Sequence, residues 1–114
     1  MCRKDNVMKV LAEGDLKELL LTGKNRRYKN IANNKELFDG LKRAISYMIA
    51  AGNIEDIKAA SFLHYEKLRY SLSGYSSVRL SNRYIHRLIF IEEQDLITLK
   101  LITIDDTHYG NKKR

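Results

Sequence analysis

Residues 75–104, YSSVRLSNRYIHRLIFIEEQDLITLKLITI, decide the fold, because here the hydrophobic pattern repeats every two residues. This period predicts three strands over residues 75–80, 84–92 and 96–104, separated by polar clusters. The two connections, Ser81-Asn82-Arg83 and Glu93-Gln94-Asp95, are short enough for hairpins. The three strands should therefore pair antiparallel, as a meander.

Hydrophobic residues line both faces of the middle strand, with Ile85, Ile89 and Ile91 on one face and Leu88 and Phe90 on the other. This is typical of a central strand that is covered on both sides. Arg87 shares the face of Ile85 and Ile89, where an unpaired guanidinium carries a high desolvation cost. Two interpretations stay open: a buried ion pair, for example with Glu66, or a guanidinium held on a rigid strand to grip a phosphate.

The first half of the chain carries a helical pattern. Residues 8–11 are apolar enough for a strand, residues 14–20 indicate a helix, and residues 22–32 predict a loop or a loosely helical connection. Asn33-Asn34 could cap the next helix, which Gly52-Asn53 ends. Its apolar stripe is Leu37, Phe38, Leu41, Ala44, Ile45, Met48 and Ile49. We expect this stripe to face the core, and a partner-binding face is the alternative.

Helices followed by a meander predict an α+β domain over residues 1–114, with an N-terminal strand and helices packed on one face of a twisted, mainly antiparallel sheet. Residues 54–60 could form a short helix, whereas residues 62–65 could be extended. Residues 1–6 and 110–114 are expected to be flexible ends, and Met8 is an alternative start.

The 114 residues include 21 Lys and Arg against 14 Asp and Glu, a net charge of +7, so polyanions are the expected partners. Basic runs with interleaved tyrosines favour contact with a nucleic acid backbone, although a solvated face is the alternative for any single run. The candidate RNA-binding residues are Arg26, Arg27, Lys29, Lys67, Arg69, Arg79 and Arg83. No apolar run approaches the ~20 residues of a membrane span. The single Cys2 excludes an internal disulfide and indicates a reducing cytoplasm.

Few residues are suited to acid–base chemistry. Glu66 is the only acid between Asp56 and Glu92, and each lone histidine is by itself more typical of a locally satisfied side chain. The histidines, His64, His86 and His108, are 22 residues apart, without the spacing of a metal site. We expect no metal and no cofactor, since glycine-rich phosphate loops and serine-nucleophile motifs are also absent from the sequence.

Three separated motifs resemble the RelE/ParE superfamily of bacterial toxins. They are residues 68–80 (LRYSLSGYSSVRL), residues 86–90 (HRLIF) and the pair His108-Tyr109, in that order. The resemblance covers residues 63–109 and is nearest to the YoeB-like branch, whereas the order of elements in the first half is more similar to the HigB branch. The connection before Arg87 is two residues longer than in YoeB-like relatives, and Gly110 to Arg114 extend past a pair that normally ends the chain.

The resemblance implies a RelE-like microbial ribonuclease fold and the toxin of a type II toxin–antitoxin system. Such a toxin is a ribosome-dependent, metal-independent endoribonuclease of the bacterial cytoplasm. Its partners would be ribosomal RNA, messenger RNA and a cognate antitoxin, with no membrane.

The resemblance also implies a role for each candidate catalytic residue. Glu66 would be the general base, Arg87 the phosphate stabiliser and His108 the general acid. Tyr109 would orient the substrate, and His64 is the reserve base because HigB-like proteins place a histidine there. A base, a cation and an acid are what metal-free RNA cleavage requires. The alternatives are a ParE-like inhibitor of DNA gyrase and an inactive relative that binds only an antitoxin or nucleic acid.

Overall fold

The computed structural model of the protein describes residues 8–68, 74–93 and 98–105. Within these ranges, four α-helices and five strands confirm the predicted α+β class. The elements are β1 (Lys9–Leu11), α1 (Gly14–Thr22), α2 (Lys29–Ala32), α3 (Lys35–Ala50), α4 (Ile54–Ala59), β2 (Glu66–Lys67), β3 (Tyr75–Arg79), β4 (Arg87–Glu92) and β5 (Thr98–Asp105).

The strands form one mixed sheet in the order β1-β5-β4-β3-β2. Strands β2 to β5 pair antiparallel in sequence order, which confirms the meander, and β1 pairs parallel with β5. A register shift between Ile89 and Phe90 interrupts the pairing of β4 with β5. Arg87 opens β4 near the middle of the sheet, with β3 on one side and β5 on the other.

The predicted start of the middle strand at residue 84 is wrong, because β4 begins at Arg87 and Ile85 precedes it. The connection from β3 is held by a contact with α3 rather than by a tight hairpin. The Ser81 hydroxyl donates to the Glu36 carboxylate at 2.5 Å and accepts from the Arg83 N–H at 3.1 Å. These bonds order the connection, and just before β4 the Leu80 N–H donates to the His86 carbonyl oxygen at 3.3 Å.

Helix α3 supplies much of the core. The Asn34 side chain accepts from the Leu37 N–H at 3.1 Å and caps the helix, as predicted. On its inner face Leu41 and Met48 are completely buried, while Ile49 remains 43% exposed. The stripe therefore faces the core, where it joins Val78, Leu88 and Phe90 of the sheet.

The other face of β4 is also covered, since Ile89 is only 2% exposed. Ile89 lies outside the core cluster formed with the helices. Because side chains alternate along a strand, Arg87 and Ile89 share the face that points away from the helices. The prediction of a doubly covered middle strand is confirmed for Leu88, Ile89 and Phe90.

The segment before β2 differs partly from expectation. The short helix α4 is present, with the Asn53 side chain accepting from the Asp56 N–H at 3.0 Å. The predicted extended conformation at residues 62–65 is wrong at its start, because Ser61–Leu63 is a 3₁₀ helix. This turn buries Leu63 completely, and the chain leaves it through His64, which has a φ of 48°.

Several predictions from the sequence lie outside the described residues. They concern Arg69, His108, Tyr109 and the two ends, residues 1–6 and 110–114. In the described ranges, the structure contains no helix with the length and apolar composition needed to cross a bilayer.

A hydrogen-bonded cluster on the helix side ties β2 to β3 and β4. The Tyr65 hydroxyl donates to the Glu92 carboxylate, to which Ser76 also donates at 2.8 Å. Burial, followed by the bond to Glu92, raises the pKa of Tyr65 from 10 to about 12. Since Tyr65 directly precedes Glu66, these bonds hold the chain in place beside Glu66.

Tyr65→Phe is expected to make stability less sensitive to alkaline pH. Because the pKa of Tyr65 is higher in the folded protein, the folded state binds more protons between pH 10 and 12, and its stability falls as pH rises through that window. The variant lacks this titration and should lose about 1 kcal/mol at neutral pH from the missing hydrogen bond. Urea unfolding from pH 8 to pH 11.5 measures both effects, with Tyr47→Phe as the control. If the stability of Tyr65→Phe fell with alkaline pH as steeply as that of wild type, Tyr65 would not be the group whose titration causes the fall.

Candidate active site

The candidate site lies on the sheet face that points away from the helices. Glu66 is the register partner of Ser77, and Ser77 is the partner of Ile89. Two residues further along β3, and on the same face as Ser77, Arg79 lies opposite Arg87. Since direct cross-strand partners point to the same side, the sheet gathers Glu66, Arg79 and Arg87 at one end of one face.

Arg87 is held in a fixed orientation by its neighbours. Its Nε donates to the Ser77 hydroxyl at 2.7 Å, and its Nη2 donates to the carbonyl oxygen of His64. Only 11% of the Arg87 side chain is exposed, and Ser77 is fully buried. These two bonds fix the plane of the guanidinium, as preorganised recognition of an anion requires.

Glu66 completes an ion pair with Arg87, with 3.7 Å between Oε1 and Nη2. This distance exceeds the 2.7–2.9 Å typical of a charge-assisted hydrogen bond. The Glu66 side chain is 60% exposed, so the carboxylate is open to solvent while the guanidinium is largely covered. The ion pair of the first interpretation is therefore present, with its acidic partner accessible to solvent, while the binding of a phosphate by Arg87 stays a prediction.

Arg79 brings a second positive charge to Arg87. Like charges directly opposite each other on neighbouring strands destabilise a sheet. The Arg79 Nε is also buried and has no hydrogen-bond partner within the described ranges. An anion bound near the two guanidinium groups would offset the repulsion between them.

His64 contributes its backbone to the site. It adopts the left-handed region, which is uncommon for a residue other than glycine. Its carbonyl oxygen accepts from Arg87, while its side chain is exposed. The reserve base predicted from the sequence thus lies at the site, where its described contact is made through the backbone.

Two site residues were missed by the sequence analysis. Ser77 orients Arg87, and Asp105 is the register partner of Arg87 on β5. The predicted third strand ended at residue 104, one residue short of Asp105. Aligning Val78 with Leu88 as cross-strand apolar partners could have revealed Ser77.

The remaining candidate RNA-binding residues are distributed around the molecule. Arg27 donates to the Thr103 hydroxyl at 3.3 Å, on the face that carries Arg87. Lys67 is the partner of Ser76 and lies on the opposite face from Glu66. Arg83 pairs with Glu36 of α3 at 3.4 Å. Arg26 and Lys29 are exposed on the connection between α1 and α3, and Arg69 lies outside the described residues.

The chemistry available at this face is anion binding next to an accessible carboxylate. Among residues 8–68, 74–93 and 98–105, no three His, Cys, Asp or Glu side chains are grouped closely enough to hold a metal ion. A fixed guanidinium can stabilise charge that develops on a phosphate, and a solvent-exposed carboxylate can accept a proton.

The fold predicted from the sequence resemblance is confirmed, because the chain shares it with two solved structures. The chain is similar to YafQ from E. coli strain BL21(DE3), with a TM-score of 0.56 over 91% of this chain and 98% of that one, at 14% identity. It is also similar to the YoeB/ParE toxin from Agrobacterium tumefaciens, with a TM-score of 0.52 over 89% and 100% of the two chains, at 14% identity. No family model and no curated protein sequence matches the chain.

Proposed function

We propose that the protein is the toxin of a type II toxin–antitoxin system and cleaves messenger RNA on the ribosome. The observation that carries this proposal is the fixed, largely buried guanidinium of Arg87 beside the exposed carboxylate of Glu66. The fold shared with the YoeB/ParE toxin supports it, as does the net charge of +7. The partners would be a cognate antitoxin, ribosomal RNA and messenger RNA, in the bacterial cytoplasm.

The proposed reaction is attack by a ribose 2′-hydroxyl on the neighbouring phosphorus. Glu66 accepts the hydroxyl proton, the 2′-oxygen bonds to phosphorus, and the bond to the 5′-oxygen breaks. Arg87 stabilises the negative charge that builds up on the phosphate in the transition state. His108 gives its proton to the leaving 5′-oxygen, and Tyr109 orients the substrate. The products are a 2′,3′-cyclic phosphate and a 5′-hydroxyl.

The role of the ribosome follows from how exposed the Glu66 carboxylate is. Because 60% of this side chain is accessible, water can compete with the ribose hydroxyl for the Glu66 carboxylate in the isolated protein. Docking of basic residues such as Arg26 and Lys29 against ribosomal RNA would align a messenger strand with the sheet face. The ribosome thus supplies substrate positioning, while the chain supplies the acid–base groups.

Glu66→Gln is expected to lower the cleavage rate about 10²-fold, since the amide keeps the shape of the side chain and cannot accept the proton. Primer extension on a message translated by purified ribosomes measures the rate. The matched control is Glu55→Gln on α4, where the carboxylate is similarly exposed and pairs with Lys58. Equal rates for Glu66→Gln and Glu55→Gln would remove Glu66 as the base.

A second candidate function is inhibition of DNA gyrase, because the solved relative from Agrobacterium tumefaciens is described as a YoeB/ParE toxin. Such an activity would not need the proton transfer assigned to Glu66. A supercoiling assay separates the two: inhibition of purified gyrase by wild type and by Glu66→Gln alike would favour the second function. Undiminished supercoiling would leave messenger RNA as the target.

A further inference from the structure

The Arg87 guanidinium is bonded to a backbone oxygen that lies outside the sheet. Its Nη2 donates to the carbonyl oxygen of His64, and β2 begins only at Glu66. If the β2 register continued back by two residues, residue 64 would lie opposite Arg79. A carbonyl in such a ladder position points along the plane of the sheet, toward a neighbouring strand or the open edge. The bond to Arg87 therefore requires the chain to leave the ladder before Glu66.

The backbone of His64 makes this departure through an uncommon conformation. Its φ of 48° and ψ of 53° lie in the left-handed region, which crowds a Cβ atom against the backbone. Among the described residues, His64 is the only one other than glycine with a positive φ. Such strain persists where the surrounding structure fixes it, and it concentrates at functional sites.

The chain is anchored on both sides of His64. On one side Leu63 is completely buried, and the His64 N–H donates to the Ser61 carbonyl oxygen at 3.2 Å. On the other side the Tyr65 hydroxyl is bonded to the Glu92 carboxylate. Because both neighbours are held, the carbonyl of His64 keeps the direction that the left-handed backbone gives it, toward Arg87.

The imidazole of His64 takes no part in these contacts. The residue is exposed, and within the described ranges its ring makes no hydrogen bond and no ion pair. Histidine is, with asparagine and aspartate, several-fold enriched in the left-handed region compared with other residues that carry a Cβ atom. The backbone conformation by itself is therefore a physical reason for a histidine at this position.

We propose that the left-handed backbone of His64 positions Arg87, by holding the carbonyl oxygen that sets the orientation of the guanidinium. His64 is thus a positioning residue that acts on a substrate only through Arg87, and its imidazole is not required. Any residue that tolerates a positive φ can fill this role, whereas a β-branched residue cannot. The inference deepens the proposed function and rests on it for the identity of the substrate as RNA.

The test compares His64→Asn, His64→Gly and His64→Val in the full chain. Asparagine and glycine tolerate a positive φ, whereas valine is strained there. The measurement is the NMR spectrum of the Arg87 side-chain nitrogens, assigned with Arg87→Lys. While the carbonyl holds Nη2, rotation about the Nε–Cζ bond is slow and the two Nη groups give separate signals. We expect separate signals in wild type, His64→Asn and His64→Gly, and merged signals in His64→Val.

Ala59→Val is the matched control, because it places a β-branched residue at an exposed position close to the turn. It should leave the Arg87 signals unchanged. Urea unfolding shows whether each variant is folded, and the comparison of His64→Asn with wild type decides the matter even if His64→Val does not fold. On translating ribosomes, a folded His64→Val should cleave about tenfold more slowly than His64→Asn, since a misplaced guanidinium stabilises the phosphate charge less well.

Three results would overturn the inference. The first is separate Arg87 signals in a folded His64→Val protein, which would show that the bond does not need the left-handed backbone. The second is merged signals in His64→Asn, and the third is cleavage by His64→Asn that is as slow as by His64→Val. Either of these would assign the role to the imidazole. The NMR comparison needs no RNA, so the expected signals in a chain that leaves translated messages intact would contradict the proposed function and retain the positioning role.

Discussion

Arg87→Ala is expected to reduce messenger RNA cleavage by about 10²–10³-fold, because it removes the donor that stabilises charge on the phosphate. Its two hydrogen bonds, to Ser77 and to the carbonyl of His64, hold that donor in one orientation. The loss of these two bonds should also cost about 1–3 kcal/mol of stability. Circular dichroism and thermal unfolding must therefore accompany the rate measurement.

Arg87→Lys separates charge from geometry at the same position. A lysine keeps the positive charge, yet its single nitrogen cannot reproduce the planar guanidinium that bonds both Ser77 and the His64 carbonyl. We expect it to retain less than about a tenth of the wild-type rate. Arg43→Ala, on the exposed side of α3, is the control for a lost surface charge. A folded Arg87→Ala protein that cleaves at the wild-type rate would exclude Arg87 from catalysis.

Gly40→Ala is expected to destabilise the fold by more than about 3 kcal/mol, although alanine is the better helix former. A Cβ atom at Gly40 would lie 2.0 Å from the backbone carbonyl oxygen of Leu80. That oxygen cannot rotate away as a flexible side chain would, so α3 and the end of β3 would have to separate. Since Ser81 next to it binds Glu36, the separation would also disturb the chain leading to Arg87.

Urea unfolding followed by far-UV circular dichroism measures the effect of Gly40→Ala. Ser46→Ala, on the exposed face of the same helix, should stay within about 0.5 kcal/mol of wild type. If Gly40→Ala were as stable as Ser46→Ala, the close approach of α3 to Leu80 would be wrong.

The meander could be predicted because its signal is local. Alternating hydrophobic residues and short connections specify antiparallel strands without reference to the rest of the chain. The exact start of β4 could not be predicted, because the connection before it includes a tertiary bond from Ser81 to Glu36, two residues 45 positions apart. The close approach of Gly40 to Leu80 is likewise a tertiary contact, and in the sequence this glycine only weakens a helix pattern.

The site could be predicted only in part, because some of its residues carry a local signal in the sequence and others do not. Arg87 stands out as a charge in an apolar strand, and its pairing with Glu66 was one of the two interpretations. The His64 carbonyl gave no such signal, because a backbone acceptor looks the same in every residue and the left-handed turn has no glycine to mark it. Ser77 becomes visible only once the strand register is known. The roles of His108 and Tyr109 remain predictions.

The most direct test of the convergence of Glu66, Arg87 and His108 on one phosphodiester is primer extension on a translated message, with chemical identification of the new ends. Adding the purified chain to translating ribosomes should produce cuts within the coding region that carry 2′,3′-cyclic phosphate and 5′-hydroxyl ends. Intact messages despite ribosome binding, or cuts with 3′-hydroxyl and 5′-phosphate ends, would contradict it.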